Sequence, residues 1–461
     1  MKDWTGKRVC VIGLGASGRA AVEWLLERSA LVTVIDEGPE RRAGDVPSHW
    51  IEQEVTCHFG SGTILDGIFD LAVVSPGVPR SHPQVVSLLQ RDVPVWSELE
   101  LGWQATDCPV IAITGTNGKT TTTELVAALL KDNRMGTEAV GNIGTPLSSV
   151  TNVTRQLDAV TVEVSSFQLE MIHQFRPAVA VLLNLAPDHL DRHGTCEEYV
   201  RAKARIFENQ ERFDLAIIQW EAWKELQRLG VVIPAKVLTF STQTAKADLT
   251  LDRTLLVSQL PGWGGAILDL DACNLTGSHN AENLMAALLV GRAMKLTVEE
   301  MLPALQQFRA GAHRCELVGE SGDVRFFNDS KATNPHALRS ALRSMPAGAN
   351  RQNVWLIAGG QDKGLDFCSV GPEVARRVKG AFLLGEAAGA IESAWKGIAP
   401  CKLSPNLIEA VAEAGRNAVP EDVVLLSPAC ASFDMFDSYQ HRGETFKEVV
   451  MHWIKANGGG E

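Results

Sequence analysis

The residues best suited to chemistry form a glycine-rich segment at 114–120, with the sequence Thr-Gly-Thr-Asn-Gly-Lys-Thr. It follows a run of apolar, β-branched residues typical of a buried strand and precedes a helical pattern. In such a loop the backbone N–H groups cradle phosphates, Lys119 reaches the outer phosphates and the Thr120 hydroxyl binds Mg²⁺. The segment departs from the general P-loop pattern at Ile113, which stands where the first glycine is expected. ATP use is the strongest inference from these residues.

A second glycine-rich segment, 13–18, also lies between a predicted strand and a predicted helix, and Asp36 ends the following strand. This arrangement is typical of dinucleotide-binding folds, in which glycines let the backbone approach phosphates and the carboxylate binds a ribose hydroxyl. The simplest functional interpretation is an NAD enzyme, and the simplest structural one is a tight turn. The residues predict a nucleotide diphosphate site without deciding which nucleotide it holds.

Candidate metal ligands follow the next predicted strands. Glu163 ends one of them, and beside a P-loop it suits Mg²⁺, because this cation takes carboxylate and phosphate oxygens together; the alternative is a solvated strand end. Residues 184–193 are dense in polar groups directly after another strand, so His189 is either a site residue or an ordinary surface histidine. Lys203 lies on a predicted helix at 198–208, and from the residues alone its charge belongs to a solvated face.

Two amides, Asn280 and Asn283, stand three residues apart on a predicted helix and therefore share one face. They suit the edge of a base, although N-capping explains Asn280 equally well. Further along the chain, His313 and Arg314 follow a glycine-containing hinge. Beyond them stand three polar turns, at 328–334, 359–364 and 427–434, of which the last two directly follow predicted strands and all three are interpreted as strand ends. Because the carboxyl ends of parallel strands meet at one edge of a sheet, the three turns predict one crevice.

The elements that position these residues are those of parallel α/β sheets, because short β-branched runs alternate with helical patterns along most of the chain. Helices are predicted at 17–28, 119–131 and 280–294. Residues 248–275 are strand-like, with a glycine-rich break at 262–265. The other predicted strands are 8–13, 31–36, 70–75, 109–114, 158–164, 178–184, 214–218, 354–358, 380–384 and 423–427.

Composition sets the class of protein. The chain has 461 residues, 45% hydrophobic and 21% charged, with a net charge of −12, a length that predicts about three domains of roughly 150 residues each. The negative charge argues against a nucleic-acid or anionic membrane surface. Its nine cysteines stand singly, which is typical of a reducing compartment and excludes a zinc knuckle. With no long apolar run and no signal peptide, we expect a cytoplasmic enzyme without a membrane span.

Taken together, these motifs resemble those of the Mur ligase family of ATP-dependent, amide-bond-forming enzymes, from Gly13 to Gly443. The loop at 114–120 is shared with folylpolyglutamate synthases, whereas the segments at 328–334 and 428–434 resemble the D-glutamate-adding branch. An Asp-Asn-Pro-Arg segment, typical of the branches that add a diamino acid, is absent from the sequence. Two departures are minor: the loop has Lys-Thr where many relatives have Lys-Ser, and Tyr439 stands where relatives often have Phe.

The resemblance implies three α/β domains. A Rossmann-like domain at 1–106 would bind the uridine diphosphate of the substrate rather than a redox cofactor. A P-loop domain at 107–310 would bind ATP with two Mg²⁺ ions, and a Rossmann-like domain at 311–461 would bind the amino acid. The substrates would be UDP-N-acetylmuramoyl-L-alanine and D-glutamate, the enzyme a monomer, and the pathway that of peptidoglycan precursors.

The resemblance also assigns residues. The uridine substrate would meet Gly15, Ala16, Ser17, Asp36, Ser75, Gly77 and Asn142. ATP would meet Gly115, Thr116, Asn117, Gly118, Lys119, Thr120, Thr121, Asn283, Arg314, Asp329 and Lys331. D-glutamate would meet Thr333, Lys363, Ser432, Phe433 and Tyr439. The metal ligands would be Thr120, Glu163, His189 and Lys203, the lysine as a carbamate formed with CO₂. The catalytic group would comprise Lys119, Asn142, His189 and Lys203.

The implied reaction has two steps: the acceptor carboxylate attacks the γ-phosphate of ATP to give an acyl phosphate, and the amine of D-glutamate then displaces phosphate. Three alternatives remain at this level. One is another Mur-type or folylpolyglutamate-type ligase, the second is a nicotinamide-dependent oxidoreductase that uses the first glycine-rich segment, and the third is a P-loop module in which the nucleotide only switches shape.

Overall fold

The computed structural model describes residues 3–38, 46–60, 66–275, 277–346 and 352–457. The chain divides into two compact units, which are described separately. The first unit comprises Met1–Asp269 and Glu282–Gln306, and the second comprises Leu270–Ala281 and Gln307–Glu461. Among the described residues, no helix combines the length and the apolar composition that crossing a bilayer requires.

The first sheet of the first unit has five parallel strands in the order β3-β2-β1-β4-β5. Its central strand β1 is buried along Val9–Ile12, as expected for a strand covered on both faces. The chain order reverses beside β1, and the loop after β1 therefore faces the crevice where open α/β sheets bind ligands. The elements are β1 (Arg8–Ile12), α1 (Ala16–Leu26), β2 (Leu31–Asp36), α2 (Ser48–Glu52), β3 (Thr56–Phe59), β4 (Leu71–Val74), α3 (Pro83–Gln90), β5 (Val95–Ser97) and α4 (Glu98–Gln104).

The second sheet has nine strands in the order β14-β13-β12-β11-β10-β9-β6-β8-β7. Strands β6 to β12 pair in parallel, whereas β13 and β14 continue the sheet in antiparallel fashion. The P-loop strand β6 lies between β8 and β9, so the residues after those strands reach the loop. The elements are β6 (Val110–Thr114), α5 (Lys119–Asp132), β7 (Thr137–Gly141), β8 (Ala159–Glu163), α6 (Ser166–Leu169), β9 (Val179–Leu182), α7 (Leu190–His193), α8 (Cys196–Ala204), β10 (Leu215–Gln219), α9 (Trp220–Arg228), β11 (Lys236–Ser241), β12 (Leu249–Asp252), β13 (Leu255–Ser258), β14 (Gly265–Asp269), α10 (Ser278–Ala293) and α11 (Val298–Gln307), with 3₁₀ segments at Leu147–Gln156, Arg205–Phe207 and Leu270–Ala272.

Two carboxylates of α4 join the two sheets of the first unit. Glu100 accepts the backbone N–H groups of His173, Gln174 and Phe175 at 2.9–3.1 Å. Glu98 is buried and accepts the N–H of Ser148 at 2.7 Å, and burial raises the pKa of this carboxyl. Because a buried carboxylate is costly without such donors, these bonds fix α4 against the second sheet. The loops after β1 and β6 consequently belong to one compact body.

The second unit contains a six-stranded sheet in the order β15-β16-β20-β17-β18-β19, parallel except for the pair β15–β16. Its central strands β17 and β20 are almost entirely buried. The elements are β15 (Glu316–Ser321), β16 (Val324–Asn328), α12 (Pro335–Ser344), β17 (Val354–Gly359), α13 (Gly371–Arg377), β18 (Val378–Leu384), α14 (Ala388–Ala394), β19 (Cys401–Leu403), α15 (Leu407–Asn417), β20 (Val423–Leu426) and α16 (Tyr439–Asn457), with a 3₁₀ segment at Phe367–Val370.

The predicted fold class, three α/β domains, is confirmed, while the residue boundaries 106/107 and 310/311 stay a prediction. Every separate strand that the sequence predicts is present, with ends displaced by no more than two residues. The strand-like stretch 248–275 resolves into β12, β13 and β14, with the glycine-rich break before the last of them. The predicted helix at 198–208 is α-helical only to Ala204 and then tightens into a 3₁₀ turn.

Candidate functional site

The loop between β6 and α5 has a backbone that only glycine suits. Gly115 has φ +156° and Gly118 has φ +83°. A Cβ added to Gly118 would lie 2.5 Å from Oδ1 of Asn283. Gly118 also precedes the first turn of the 14-residue helix α5, whose unpaired N–H groups and positive dipole end favour an anion. The local structure is therefore that of a phosphate-binding loop, and Asn283, with Oδ1 3.1 Å from the Thr122 hydroxyl, braces it.

The segment after β9 holds the loop in place. The Asn184 side chain accepts the N–H of Asn117 at 2.8 Å and donates to the carbonyl of Asn117 at 3.0 Å. The Thr116 hydroxyl donates to the carbonyl of Ala186 at 3.1 Å and accepts the N–H of Ala186 at 3.0 Å. These bonds could not be predicted from local sequence patterns, because the partners lie 67 to 70 residues apart. Four hydrogen bonds thus hold the predicted loop 114–120 against the predicted polar segment 184–193.

Two lysines converge on one carbonyl of the loop. Lys119 Nζ lies 3.0 Å from the carbonyl oxygen of Gly115 and 2.9 Å from that of Thr116, and Lys203 Nζ lies 2.8 Å from that of Gly115. Lys203 is only 2% exposed, and its Nζ lies 4.7 Å from the ring of Tyr199. Burial, and then repulsion by Lys119, lower the pKa of Lys203 well below its usual range. The solvated-face interpretation of Lys203 is therefore wrong: its side of α8 packs beneath the loop.

Glu163 ends β8 as a buried carboxylate. Its Oε1 accepts the Nδ2 amide of Asn142 at 2.7 Å, whereas Oε2 has no hydrogen-bond partner in the described structure. A buried carboxylate oxygen without a donor is costly, and a divalent cation is a suitable partner for it. The solvated-end interpretation of Glu163 is thus wrong. Within the described ranges, no three His, Cys, Asp or Glu side chains cluster closely enough to hold a metal ion.

His189 occupies a strained position before the short helix α7. Its backbone is left-handed, with φ +51°, and its N–H is bound by Oδ1 of Asp188 at 2.9 Å. The imidazole packs edge-on against Phe167, with ring centroids 4.8 Å apart. A non-glycine residue in this conformation is uncommon and is often functional. Of the two hydroxyls predicted to meet phosphate or metal, Thr120 is half-buried in the first turn of α5 and Thr121 is buried.

The loop after β1 is held by a carboxylate. Asp36 is buried, its Oδ2 accepts the N–H of Leu14 at 2.6 Å, and its Oδ1 accepts the N–H of Gly38 at 2.7 Å. Gly13 has φ +88°, and a Cβ on Gly18 would overlap the Gly13 carbonyl oxygen. Gly15 caps α1, so Ala16 and Ser17 open its first turn. Asp36 therefore shapes this loop through the backbone.

Ser75 and Gly77 lie in the turn after β4, beside the same loop. The Ser75 hydroxyl donates to the carbonyl of Gly13 at 2.8 Å. The first unit thus contains these predicted site residues around its two loops: Gly15, Ala16, Ser17, Asp36, Ser75, Gly77, Gly115, Thr116, Asn117, Gly118, Lys119, Thr120, Thr121, Asn142, Glu163, His189, Lys203 and Asn283. The second unit contains the others: Arg314, Asp329, Lys331, Thr333, Lys363, Ser432, Phe433 and Tyr439.

In the second unit, Asp329 follows β16 as a buried carboxyl. It accepts the Ser427 hydroxyl at 2.8 Å and the N–H of Cys315 at 3.2 Å. Burial raises the pKa of Asp329 to about 7, against the opposing effect of these bonds. Lys331 Nζ lies 3.9 Å from the ring centroid of Tyr439, a cation–π contact. Lys331, predicted for the nucleotide, is therefore in contact with Tyr439, predicted for D-glutamate.

The sequence analysis missed Arg442, which ties these turns together. Its guanidinium donates to the carbonyls of Ser330, Cys430 and Ala431 and to the Ser330 hydroxyl, at 2.8–3.2 Å. Burial lowers the pKa of Arg442 to about 10. The sequence feature that could have identified Arg442 is its position beside a glycine. Gly443 has no side chain and so leaves room for the ring of His313.

The three polar turns of the second unit follow β16, β20 and β17, which are adjacent in the sheet. Gly360 packs so closely on the carbonyl of Ala431 that a Cβ would overlap it, and Gln361 pairs with Ala431. The three predicted turns therefore lie side by side at the carboxyl edge of this sheet, and a crevice between them stays a prediction. Along this edge, Ser432 is buried, Thr333 and Lys363 are half-buried, and the side chain of Phe433 is 67% exposed.

Three family models match this chain. The MurD-like N-terminal domain of Mur ligases matches residues 7–97, the Mur ligase middle domain matches 113–291, and the Mur ligase glutamate ligase domain matches 313–430. Together they cover most of the chain and include both glycine-rich loops, the polar turns at 328–334 and 359–364, and the first part of the third turn, to residue 430.

Relatives and solved structures agree with these matches. The UDP-N-acetylmuramoylalanine–D-glutamate ligase of Pelotomaculum thermopropionicum is 40% identical over 98% of this chain and 99% of its own length. The protein of the same name from Koribacter versatilis is 41% identical over 97% and 98%. Among solved structures, the UDP-N-acetylmuramate-alanine ligase MurC of Thermotoga maritima has a TM-score of 0.60 at 17% identity, covering 96% of this chain and 99% of that one. The MurF ligase of the same organism, in complex with ADP, has a TM-score of 0.60 at 17% identity, covering 99% and 100%.

Proposed function

The chain belongs to the Mur ligase family, and from this premise we propose that it joins D-glutamate to UDP-N-acetylmuramoyl-L-alanine while converting ATP to ADP and phosphate. The observation that carries the proposal is the convergence of Lys119 and Lys203 on one carbonyl of a phosphate-binding loop. The relatives named for this ligation match nearly end to end, which supports the choice of substrates. The reaction is a step of peptidoglycan synthesis, and we propose that it takes place in the cytoplasm by a monomer.

Activation is necessary because a carboxylate and an ammonium ion do not condense in water. One carboxylate oxygen of the acceptor attacks the γ-phosphorus, which breaks the bond to the β-phosphate oxygen and gives an acyl phosphate and ADP. The amine of D-glutamate then attacks the acyl carbon, loses a proton and expels phosphate. During the first step negative charge spreads over the phosphoryl oxygens, and Lys119 with the N–H groups of residues 115–120 stabilises it.

The residues at the loop fit Mg²⁺. Thr120 and Glu163, whose Oε2 lacks a hydrogen-bond partner, would hold one ion, and His189 with a carbamate on Lys203 would hold a second. When bound, Mg²⁺ neutralises phosphate charge. Asn142 donates to Oε1 of Glu163 and so fixes the orientation of that carboxylate. Its position beside the loop also suits contact with the acceptor carboxylate.

A carbamate on Lys203 agrees with its surroundings. An ammonium group 2.8 Å from the carbonyl to which Lys119 also binds is disfavoured by burial and by the second positive charge. A neutral amine can add to CO₂, forming an N–C bond and releasing a proton. The product is an anionic oxygen donor, which suits a hard cation. The lysine thereby changes from a repelled cation into a ligand.

The remaining residues bind substrates. In the first unit the uridine diphosphate would lie on the loop shaped by Asp36 and the turn at 75–77, and Asn283 would contact ATP while bracing the P-loop. In the second unit Arg314, Asp329 and Lys331 would serve the nucleotide. Lys363 and the hydroxyls of Thr333 and Ser432 supply charge-assisted donors for the carboxylates of D-glutamate, beside Phe433 and Tyr439.

The test is phosphate release by the purified chain with ATP, UDP-N-acetylmuramoyl-L-alanine and a panel of single amino acids. We expect release with D-glutamate and little with L-glutamate, D-aspartate, L-lysine or diaminopimelate, with a product heavier than the acceptor by one glutamate residue. Omission of either substrate is the control. Release with a diamino acid instead would assign another branch of the family, and nucleotide binding without release would indicate a switch module.

A further inference from the structure

Arg192, at the end of the polar segment 184–193, connects the two sheets of the first unit. Its Nη1 donates to the carbonyl of Gly77 at 3.3 Å, and its Nη2 donates to the carbonyl of Val78 at 3.1 Å. Both carbonyls belong to the turn after β4. The side chain is 13% exposed; its bond to Val78 is partly buried, whereas its bond to Gly77 lies on the exposed side of the turn. Both are charge-assisted hydrogen bonds, which are stronger than neutral ones.

The turn that Arg192 holds is part of the proposed uridine site. Its first residue, Ser75, donates to the carbonyl of Gly13, and the N–H of Val78 closes the turn on the carbonyl of Ser75 at 3.0 Å. A Cβ on Gly13 would approach Ser75 and Val78 to 2.9 and 3.1 Å. A shift of this turn would therefore move the glycine-rich loop after β1.

The backbone of Arg192 belongs to the short helix α7, which directly follows His189. The N–H of Arg192 bonds to the carbonyl of His189 at 3.1 Å. The guanidinium carbon lies 4.7 Å from the ring centroid of Phe167, and that ring is the one against which His189 packs. The position of the guanidinium thus affects the position of the His189 imidazole in two ways, through the backbone of α7 and through the ring of Phe167.

Glu170 fixes the guanidinium between these two regions. Its Oε1 accepts from Nε of Arg192 at 3.2 Å and its Oε2 from Nη2 at 2.7 Å, a bidentate pair in which Glu170 is 15% exposed. One planar group thereby makes four bonds in fixed directions. A lysine has a single nitrogen without this fork, so it cannot hold the carboxylate and both carbonyls together.

We propose that Arg192 is a positioning residue that couples the uridine-binding turn of the first sheet to the turn of the second sheet that carries His189. Binding of the uridine substrate on the first sheet would thereby set the position of His189 beside the ATP loop, and ATP with Mg²⁺ would in turn strengthen binding of the uridine substrate, since such coupling is reciprocal. This inference rests on the proposed function, because it takes residues 75–77 as part of the uridine site.

Arg192→Lys and Arg192→Ala test the proposal. For Arg192→Ala we expect the KM for the uridine substrate to rise by about tenfold or more, because two charge-assisted bonds to the turn are lost. Because the coupling is reciprocal, the KM for ATP at saturating uridine substrate should rise by the factor by which the coupling falls, whereas the Kd of an ATP analogue without the uridine substrate should change by less than about twofold. Arg192→Lys, which keeps the charge and guards against a misfolded alanine variant, should recover less than half of the lost affinity. Recovery of wild-type KM by lysine would overturn the role of the fork.

Arg28→Ala is the matched control. Arg28 also bridges the two sheets, with Nη2 3.0 Å from Oδ1 of Asn152, but it lies beyond the far end of α1 from the glycine-rich loop. We expect Arg28→Ala to leave both KM values unchanged even where it lowers the melting temperature. Equal changes of KM in Arg28→Ala and Arg192→Ala would mean that Arg192 contributes only to stability, which would overturn the proposal.

The coupling itself is measured by calorimetric titration of the uridine substrate, with and without Mg²⁺ and a non-hydrolysable ATP analogue. In the wild type we expect the analogue to tighten binding, and in Arg192→Ala we expect this tightening to disappear. The same tightening in both proteins, or none in the wild type, would refute the coupling. A wild type that ligates D-glutamate while its Arg192 variants behave normally would refute this inference alone, whereas an inactive wild type would refute the proposed function.

Discussion

The two glycine-rich loops of the first unit have similar backbone arrangements, but side chains of opposite charge hold them. Each follows a buried parallel strand, has a glycine with positive φ (Gly13 at +88° and Gly118 at +83°) and leads into a helix. After β1, the carboxylate of Asp36 binds the loop's own N–H group at Leu14. After β6, two lysine amines bind the loop's carbonyl at Gly115 instead.

The difference shows what glycine spacing leaves undecided. The glycines let a backbone approach phosphates, but the side chains around the loop set its charge. A loop held by a carboxylate brings no cation to a phosphate, which suits an unreactive diphosphate that is only bound. A loop with two lysines and a buried glutamate oxygen suits a polyphosphate whose outer group is transferred.

The largest effect should follow removal of Lys119, whose positive charge we expect to stabilise the transferred phosphoryl group. Lys119→Ala should lower turnover by at least about 10²–10³-fold, because a donor that stabilises transition-state charge is lost. Circular dichroism and the melting temperature should remain close to the wild type. Near-normal phosphate release by the folded variant would contradict the assignment of ATP to this loop.

Lys203→Ala should also be almost inactive, for a different reason, because an oxygen donor to a cation is lost rather than a positive charge. Short-chain carboxylates at millimolar concentration should restore part of the activity by occupying the vacated space. The measurement is an acetate titration of phosphate release, with Lys119→Ala as the control that should not respond. Full activity of Lys203→Ala without acetate would exclude the carbamate.

Alanine substitutions of two glycines compare the loops directly. Gly118→Ala places a Cβ 2.5 Å from Asn283 at a left-handed φ, so we expect the KM for ATP to rise by about tenfold or more. Gly15→Ala meets nothing within 4 Å at an ordinary φ of −66°, and its fold should be unaffected. Any change in Gly15→Ala should appear in the KM for the uridine substrate alone. Equal effects on the KM for ATP would contradict the assignment of separate ligands.

A smaller effect is expected at the carboxylate that shapes the first loop. Asp36→Ala removes the acceptor of the Leu14 and Gly38 N–H groups, so the KM for the uridine substrate should rise by about tenfold, the cost of one or two such bonds. The KM for ATP should stay close to that of the wild type. Tight binding of NADH to the wild type, in competition with the uridine substrate, would contradict this assignment.

Much of the fold could be predicted, because buried parallel strands are continuous apolar runs that periodicity detects. The sequence analysis did not identify seven strands: β3, β5, β7, β11, β15, β16 and β19. Among them, Thr56–Phe59 and Glu316–Ser321 have no fully buried residue, and Val95–Ser97 and Cys401–Leu403 have only three residues each. The positions of the two loops followed from glycines between a strand and a helix, a local signal. Asp36 was predicted at the end of its strand, with a ribose hydroxyl as its partner, but its bond to the N–H of Leu14 depends on two strands pairing in register.

The arrangement of the site depended on long-range contacts that sequence spacing does not encode. Lys203 was assigned to a solvated face because the predicted helix 198–208 has five charged residues, Lys203 included, yet packing beneath Gly115 buries it. Asn184 and Arg442 act on backbone groups, and such contacts leave no pattern in the sequence. The resemblance to the Mur ligases identified residues that the physical pattern alone could not.

The most direct test of the proposed reaction is the fate of an oxygen atom. With UDP-N-acetylmuramoyl-L-alanine labelled with ¹⁸O in both oxygens of its terminal carboxylate, activation as an acyl phosphate transfers one labelled oxygen to the released phosphate in each turnover. Mass spectrometry of the phosphate from a reaction with unlabelled ATP and D-glutamate should therefore show one ¹⁸O per phosphate. Unlabelled phosphate, with ligation proceeding, would contradict attack of the carboxylate on the γ-phosphorus and with it the role assigned to Lys119 and its loop.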